Sequence, residues 1–279
     1  MVESTVMYRA DGPAEFRCIG ETEFANGVAA MSASGLYGPI RACAGIVGCV
    51  DFRIGARVEA VLEAHIAAGN GRFRGVRSVA TWDAAEGLTD YRNPPPGLLC
   101  DPAFQQGFGK LGPLGLTFET WIYSTQLQDV VALASKFPET TIIVDHMGGQ
   151  LGVGPYKMRR AEILADWKAR LKQLSRLPNV FLKVGGLGMP VIGLGFEKWS
   201  QRPSSSDLEP AWRPYIETCI DIFGVERCML ESNFPPDKKS CDYGVLWNTF
   251  KRVTSRYSDD EKDALFRNTA ARVYRLDVV

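Results

Sequence analysis

The sequence predicts an α/β fold: a (β/α)8 TIM barrel of which this chain carries seven of the eight parallel strands, as one domain over residues 1–279. Three observations predict it. Short β-branched runs alternate with longer amphipathic stretches along the whole chain, the pattern of a parallel sheet with helices outside it. The central runs 142–144 and 180–184 are apolar without interruption, as expected of strands covered on both faces. Finally, seven strands are found, and the first begins at residue 2 with no helix before it. Seven strands do not close at the shear of an eight-stranded barrel, so an absent leading β/α unit accounts for both facts. A doubly wound open sheet is the competing architecture. It calls for a phosphate-binding glycine loop after its first strand, and no GxGxxG or GxxxxGK follows residues 2–8.

The expected strands are residues 2–8, 42–50, 73–80, 116–123, 141–146, 180–184 and 228–233. Between them lie helical patterns. Residues 57–68 form one, stopped by Gly69. Residues 101–111 open on Asp101 and Pro102, a cap residue followed by proline in the first turn. Residues 126–137 stop at Pro138 and residues 159–177 at Pro178. Residues 208–223 precede Gly224, and 243–257 and 259–274 close the chain. Residues 11–38 read as a helix with a loop.

Composition narrows the function classes. Lys plus Arg and Asp plus Glu are balanced at 32 each, so no global field draws the chain to nucleic acid or an anionic membrane. Lys238-Lys239 read as solvated surface. The seven cysteines are irregularly spaced without a CxxC pair, which argues against a zinc finger or a disulfide framework and for a reduced, cytoplasmic protein. No signal peptide or membrane-spanning run is visible. The expected partner is a small-molecule substrate, with self-association into a homo-oligomer left open.

Only two histidines exist. His65 sits mid-helix and reads as packing or surface, whereas His146 ends a strand and enters the turn Met147-Gly148-Gly149. A polar residue at the C-terminal end of a barrel strand points to the mouth, where such folds place their sites. Alternation along strands adds Glu231 with Asn233, Lys183, and Glu119 with Trp121 and Tyr123, while Arg77 ends one strand and Glu3 lies on the first. These charges suit a paired network under a pocket floor. Asp145, of opposite parity to His146, is expected to point away. Asp237 lies four residues into the loop after Asn233, where an exposed carboxylate is the plainer reading. Trp82, Trp121 and Trp199 are candidate apolar walls.

Five segments then carry a family resemblance. Val144-Asp145-His146-Met147-Gly148-Gly149 resembles the "DHxG" segment of the amidohydrolase-2 family, and Phe73-Arg74-Gly75-Val76-Arg77 its "frGvR" strand. Leu182-Lys183-Val184-Gly185-Gly186-Leu187 is similar to "vKlSGl", residues 227–235 to "RvmfgSDwP", and Asn268-Thr269-Ala270-Ala271-Arg272-Val273-Tyr274 to the closing "gNAarvY" helix. The resemblance spans residues 2 to 276 in family order and implies a barrel hydrolase akin to sugar-acid lactonases and 2-pyrone-4,6-dicarboxylate lactonase. Two departures matter. The family's HxH pair is missing, and Asn233 stands where the family has an aspartate that binds metal or activates water. A neutral amide is a poor ligand and no base. The pyrone-lactonase branch is implied to work without metal. The expectation is therefore hydrolysis of a small carboxylated lactone or cyclic ester with no metal or other cofactor. Arg77 would anchor the acid, His146 and Tyr123 polarise the carbonyl, and Asp237 or Glu231 activate water, with Trp121, Lys183 and Asn233 completing the pocket. The alternatives are a metal-dependent decarboxylase and a degenerate barrel that binds a ligand or partner without turnover.

Overall fold

In the computed structural model, which describes residues 1–88 and 92–277, six short strands form one parallel sheet in sequence order. They are β1 (Ile46–Gly48), β2 (Phe73–Val79), β3 (Thr117–Trp121), β4 (Ile142–Val144), β5 (Val180–Val184) and β6 (Cys228–Leu230). The predicted strand at residues 2–8 is reduced to one parallel bridge, Val2 to Val47, supported by Glu3 N–H donating to the Val47 carbonyl at 2.8 Å. Thr5 and Met7 have φ of 59° and 54°, so the chain leaves the extended region within two residues of Glu3. The expectation of seven full strands is thus corrected to six and a bridge. The sheet curls as an incomplete barrel: the Val2 edge and the end of β6 face each other across a cavity that both line.

Helices α1 (Ile19–Ala33), α2 (Val58–Ala68), α3 (Pro102–Phe108), α4 (Leu127–Lys136), α5 (Arg160–Leu174), α6 (Ser205–Phe223), α7 (Tyr243–Val253), α8 (Asp259–Asp263) and α9 (Thr269–Tyr274) follow the alternation. Local chemistry sets several ends. Asp101 accepts from Phe104 N–H at 2.8 Å to cap α3, with Pro102 in its first turn. Ser204 and Asp207 form a reciprocal capping box that starts α6 three residues earlier than the apolar pattern alone suggests. The single helix expected over 259–274 is interrupted by a π-helical turn at Ala264–Asn268.

Outward strand residues such as Phe118, Ile142, Val144 and Leu182 are buried against the helices in the main core, with Trp167 and Trp212 among its largest fully covered side chains. Inward residues behave differently. Ile143 and Met229 pack with Val273 of α9 as a small apolar plug, while Glu119 and Lys183 present charge to the same interior. Parity thus divides the strands between an oily outer layer and a partly ionic centre.

Candidate active site

The centre is held by a chain of ion pairs. Arg77 on β2 places Nε 2.9 Å from Glu3 Oε1, donates to the Glu3 carbonyl at 2.6 Å and lies 3.7 Å from Asp145. Lys183 on β5 pairs with Glu119 on β3 and lies 3.2 Å from Asp145, and the Tyr274 hydroxyl donates to the other Glu119 oxygen. Burial penalises every one of these charges, so they persist only in combination. For Asp145, burial is outweighed by Lys183, His146 and Arg77, which hold its carboxyl below the usual range. Lys183 is likewise raised despite burial, by Asp145 and Glu119. Asp145 does not point away, as expected from parity. It shares the inward parity of Ile143 two residues earlier and sits at the middle of the network.

His146 reaches the same interior by another route. The strand ends at Val144, and His146 and Met147 take left-handed φ values of 53° and 56°. That turn swings the imidazole back over the sheet. Glu231, just beyond β6, accepts from the His146 backbone N–H at 3.0 Å and lies 2.5 Å from its Nδ1. Nε2 keeps no hydrogen-bond partner among the described residues, and the ring packs edge-on against Trp121 with centroids 4.8 Å apart. Burial disfavours the imidazolium, but Glu231 outweighs it and raises the His146 pKa above its ordinary value. The turn needs glycine behind it: a Cβ on Gly186, whose φ is +74°, would lie 2.7 Å from the His146 Cβ.

These groups open into a cavity of about 750 Å³ lined by Arg77, Trp121, His146, Lys183, Glu231 and Asn233, with Arg92 and Lys239 also on its wall. Tyr123 lies outside this lining, and its hydroxyl donates to the Leu88 carbonyl at 2.5 Å, which takes it away from a substrate carbonyl. Asp237 is not an exposed loop carboxylate. It is fully buried, accepting from Gly188 N–H at 3.1 Å and from the Asn233 side-chain amide at 2.7 Å, and burial pushes its pKa up to about 7. It fastens two rim loops and does not line the cavity. Arg77 does line it, yet its guanidinium is largely committed to Glu3 and Asp145. Sequence reading missed Arg92 and Lys239. Their signal was position alone, since each lies in a loop that follows a barrel strand.

His65 is a core residue. It is fully buried and stacks on Phe73 with centroids 4.9 Å apart. Among the described residues, no three His, Cys, Asp or Glu side chains converge as a metal site would require. The groups at the rim explain why: His146 Nδ1 is taken by Glu231, and Asn233 donates to Asp237 instead of offering an anionic oxygen.

A curled parallel β/α sheet with its ionisable groups gathered at the C-terminal ends of the strands defines a barrel enzyme. The chain belongs to the amidohydrolase family, whose sequence model, described as Amidohydrolase, matches residues 36–276. It is 36% identical over 232 residues to the uncharacterized protein y4mH of Sinorhizobium fredii, covering 83% of this chain and 70% of that one. It is 29% identical over 181 residues to an L-fucono-1,5-lactonase of Burkholderia multivorans, covering 63% of this chain and 57% of the lactonase. A crystal structure of an amidohydrolase from Burkholderia multivorans with bound zinc superposes with a TM-score of 0.71 at 27% identity, over 92% of this chain and 79% of that one. Among the described residues of this chain, the converging ligands that a zinc ion needs are missing. No helix among the described residues is long and apolar enough to cross a membrane.

Proposed function

We propose that the protein hydrolyses a small carboxylated lactone or related cyclic ester, with the His146–Glu231 pair as its general base. The observation that carries this reading is the pair itself: a cavity-lining imidazole whose Nδ1 is held by a carboxylate at 2.5 Å while Nε2 has no partner among the described residues. A base so oriented meets the geometric requirement for taking a proton from water, and a carboxylate behind it stabilises the imidazolium that forms. The similarity to a lactonase and the cationic wall of the cavity support the substrate class.

In the reaction, water gives a proton to Nε2 and its oxygen adds to the lactone carbonyl carbon. The tetrahedral oxyanion then collapses, the ring C–O bond breaks, and the leaving alkoxide takes the proton back from His146 to give a hydroxy acid. Arg77 and Lys183, fixed by their carboxylate partners, present N–H donors on the cavity wall to the developing oxyanion. Lys239 faces the remote carboxylate, Arg92 is paired with Glu3 at 2.9 Å, and Trp121 forms the apolar wall that also fixes the His146 ring. The water-activating role thereby passes from Asp237, whose carboxylate is sealed off, to His146 with Glu231 behind it.

The test is acid release, followed by pH-stat, from a panel of sugar-acid and pyrone-carboxylate lactones. Turnover of at least one carboxylated member, and a fall in kcat of about two orders of magnitude or more in His146→Ala, are expected. Retained activity in His146→Ala, or no turnover across the panel by folded protein, contradicts the proposal.

A further inference from the structure

A second cavity, about 350 Å³, shares Glu3, Arg77, Val79 and Arg92 with the first and is also lined by Tyr8, Cys18 and Cys49. Two cysteines distant in sequence meet there beside a buried histidine. The histidine's tautomer follows from its partners. His65 Nε2 lies 3.1 Å from the Cys49 backbone carbonyl, which only accepts, so Nε2 carries the proton and Nδ1 accepts from the Thr22 hydroxyl at 2.8 Å. The same Nε2–H is 3.4 Å from Cys18 Sγ.

Cys18 is also the residue that precedes α1, a 15-residue helix, and its side chain makes no capping hydrogen bond there. When neutral, the Cys18 thiol donates a hydrogen bond to the Glu15 carbonyl at 3.4 Å. Cys49, for its part, has the Tyr8 hydroxyl 2.6 Å from its sulfur. The neighbouring Cys49, with His65 acting in the same direction against burial, holds Cys18 down at about 5. The proximity of Cys18 and burial raise Cys49 well above its ordinary value. Two sulfurs on one cavity wall, one of them facing an imidazole N–H, form the arrangement that nucleophilic attack followed by resolution requires.

We infer that Cys18 and Cys49 form a dithiol site for small hydroperoxides, which oxidise it to a disulfide. The Cys18 thiolate attacks one peroxide oxygen, the O–O bond breaks, and the departing alkoxide or hydroxide takes a proton from solvent. Cys18 is left as the sulfenic acid. The Cys49 sulfur then displaces the sulfenic hydroxyl: the S–O bond breaks, the S–S bond forms, and the thiol proton leaves with the hydroxyl as water. Two thiols and ROOH thus yield one disulfide, ROH and water. Hydrolysis at the neighbouring rim uses none of this chemistry.

Cys100 provides an internal control, being an exposed thiol whose pKa burial and Asp129 raise. The reduced full chain is treated with hydrogen peroxide and mapped by non-reducing peptide mass spectrometry. A Cys18–Cys49 bridged peptide, cleaved by dithiothreitol, is expected at peroxide levels that leave Cys100 a thiol. In Cys49→Ser, dimedone traps a sulfenic acid on Cys18, whereas Cys18→Ser gives no such adduct on Cys49. Absence of the bridged peptide at excess peroxide, prior oxidation of Cys100, or a dimedone adduct on Cys49 overturns the inference. Should either variant fail to fold, iodoacetamide labelling of the wild-type chain decides: the Cys18 rate reaches its plateau on the acid side of neutrality while that of Cys100 continues to climb. A Cys18 rate still rising above neutrality overturns the thiolate assignment.

Discussion

Lys239 illustrates how one side chain sets substrate preference. It is exposed on the cavity wall in the loop after β6, whereas the half-buried Arg77 and the buried Lys183 on the same wall are already paired. A substrate carboxylate at the rim meets it without breaking an existing ion pair. Lys239→Ala is expected to raise KM for a carboxylated lactone several-fold, with little change in kcat, because a remote anchor contributes mostly uniform binding. The effect shrinks with added salt and vanishes for a neutral lactone. Steady-state kinetics on a charged and a neutral substrate check this, and equal effects on both contradict it. Sequence reading placed the anchor at Arg77, since its position at the end of a strand was visible. That Glu3 and Asp145 already occupy its guanidinium was not, because those partners lie 74 and 68 residues away and meet it only once the sheet curls.

At the scale of elements, the turn after β4 and the loop after β6 decide whether the pair forms. Gly186 after β5 packs so closely on the His146 Cβ that an added methyl has no room, and its φ of +74° disfavours any other residue. Gly186→Ala is expected to cost about 1–3 kcal/mol of stability and to lower kcat by displacing the imidazole; thermal unfolding and kinetics read the two effects. Asp237 gives a second handle. Its folded pKa of about 7 stands above the ordinary carboxylate value of 3.8, so folding takes up a proton between those two pH values. The stability it contributes is fully present below the ordinary value and is lost as pH rises through about 7. Over that window Tm falls for the wild type, and Asp237→Asn flattens the slope; an unchanged slope contradicts the assignment. The strands that bear this site were legible in their apolar runs and parity. The left-handed turn at His146–Met147 was not, because parity arguments end where the strand ends. Asp145 was misread for that reason, while Asp237 was misread because loop position said nothing of the Gly188 and Asn233 contacts that bury it.

Over the whole molecule, six paired strands and one bridge leave the Val2 edge and β6 facing each other across the cavity, with the ion-pair network as the bond between distant strands. The alternation of strand and helix made the barrel class readable, whereas residues 2–8 were read as a full strand because composition does not report the left-handed Thr5 and Met7. The same assembly brings a histidine to a carboxylate but, among the described residues, no third metal ligand to either. Exhaustive dialysis against a strong chelator is therefore expected to leave lactone hydrolysis unchanged, and restoration of a lost rate by added zinc contradicts this. The most direct measurement of the central claim is the pH dependence of kcat/KM for wild type and Glu231→Gln. The wild type loses activity as pH falls through a His146 pKa raised by Glu231. Without the carboxylate that pKa drops, so the acid limb moves to lower pH while the plateau rate decreases. An acid limb unmoved by Glu231→Gln, or a plateau rate equal to the wild type's, contradicts the account.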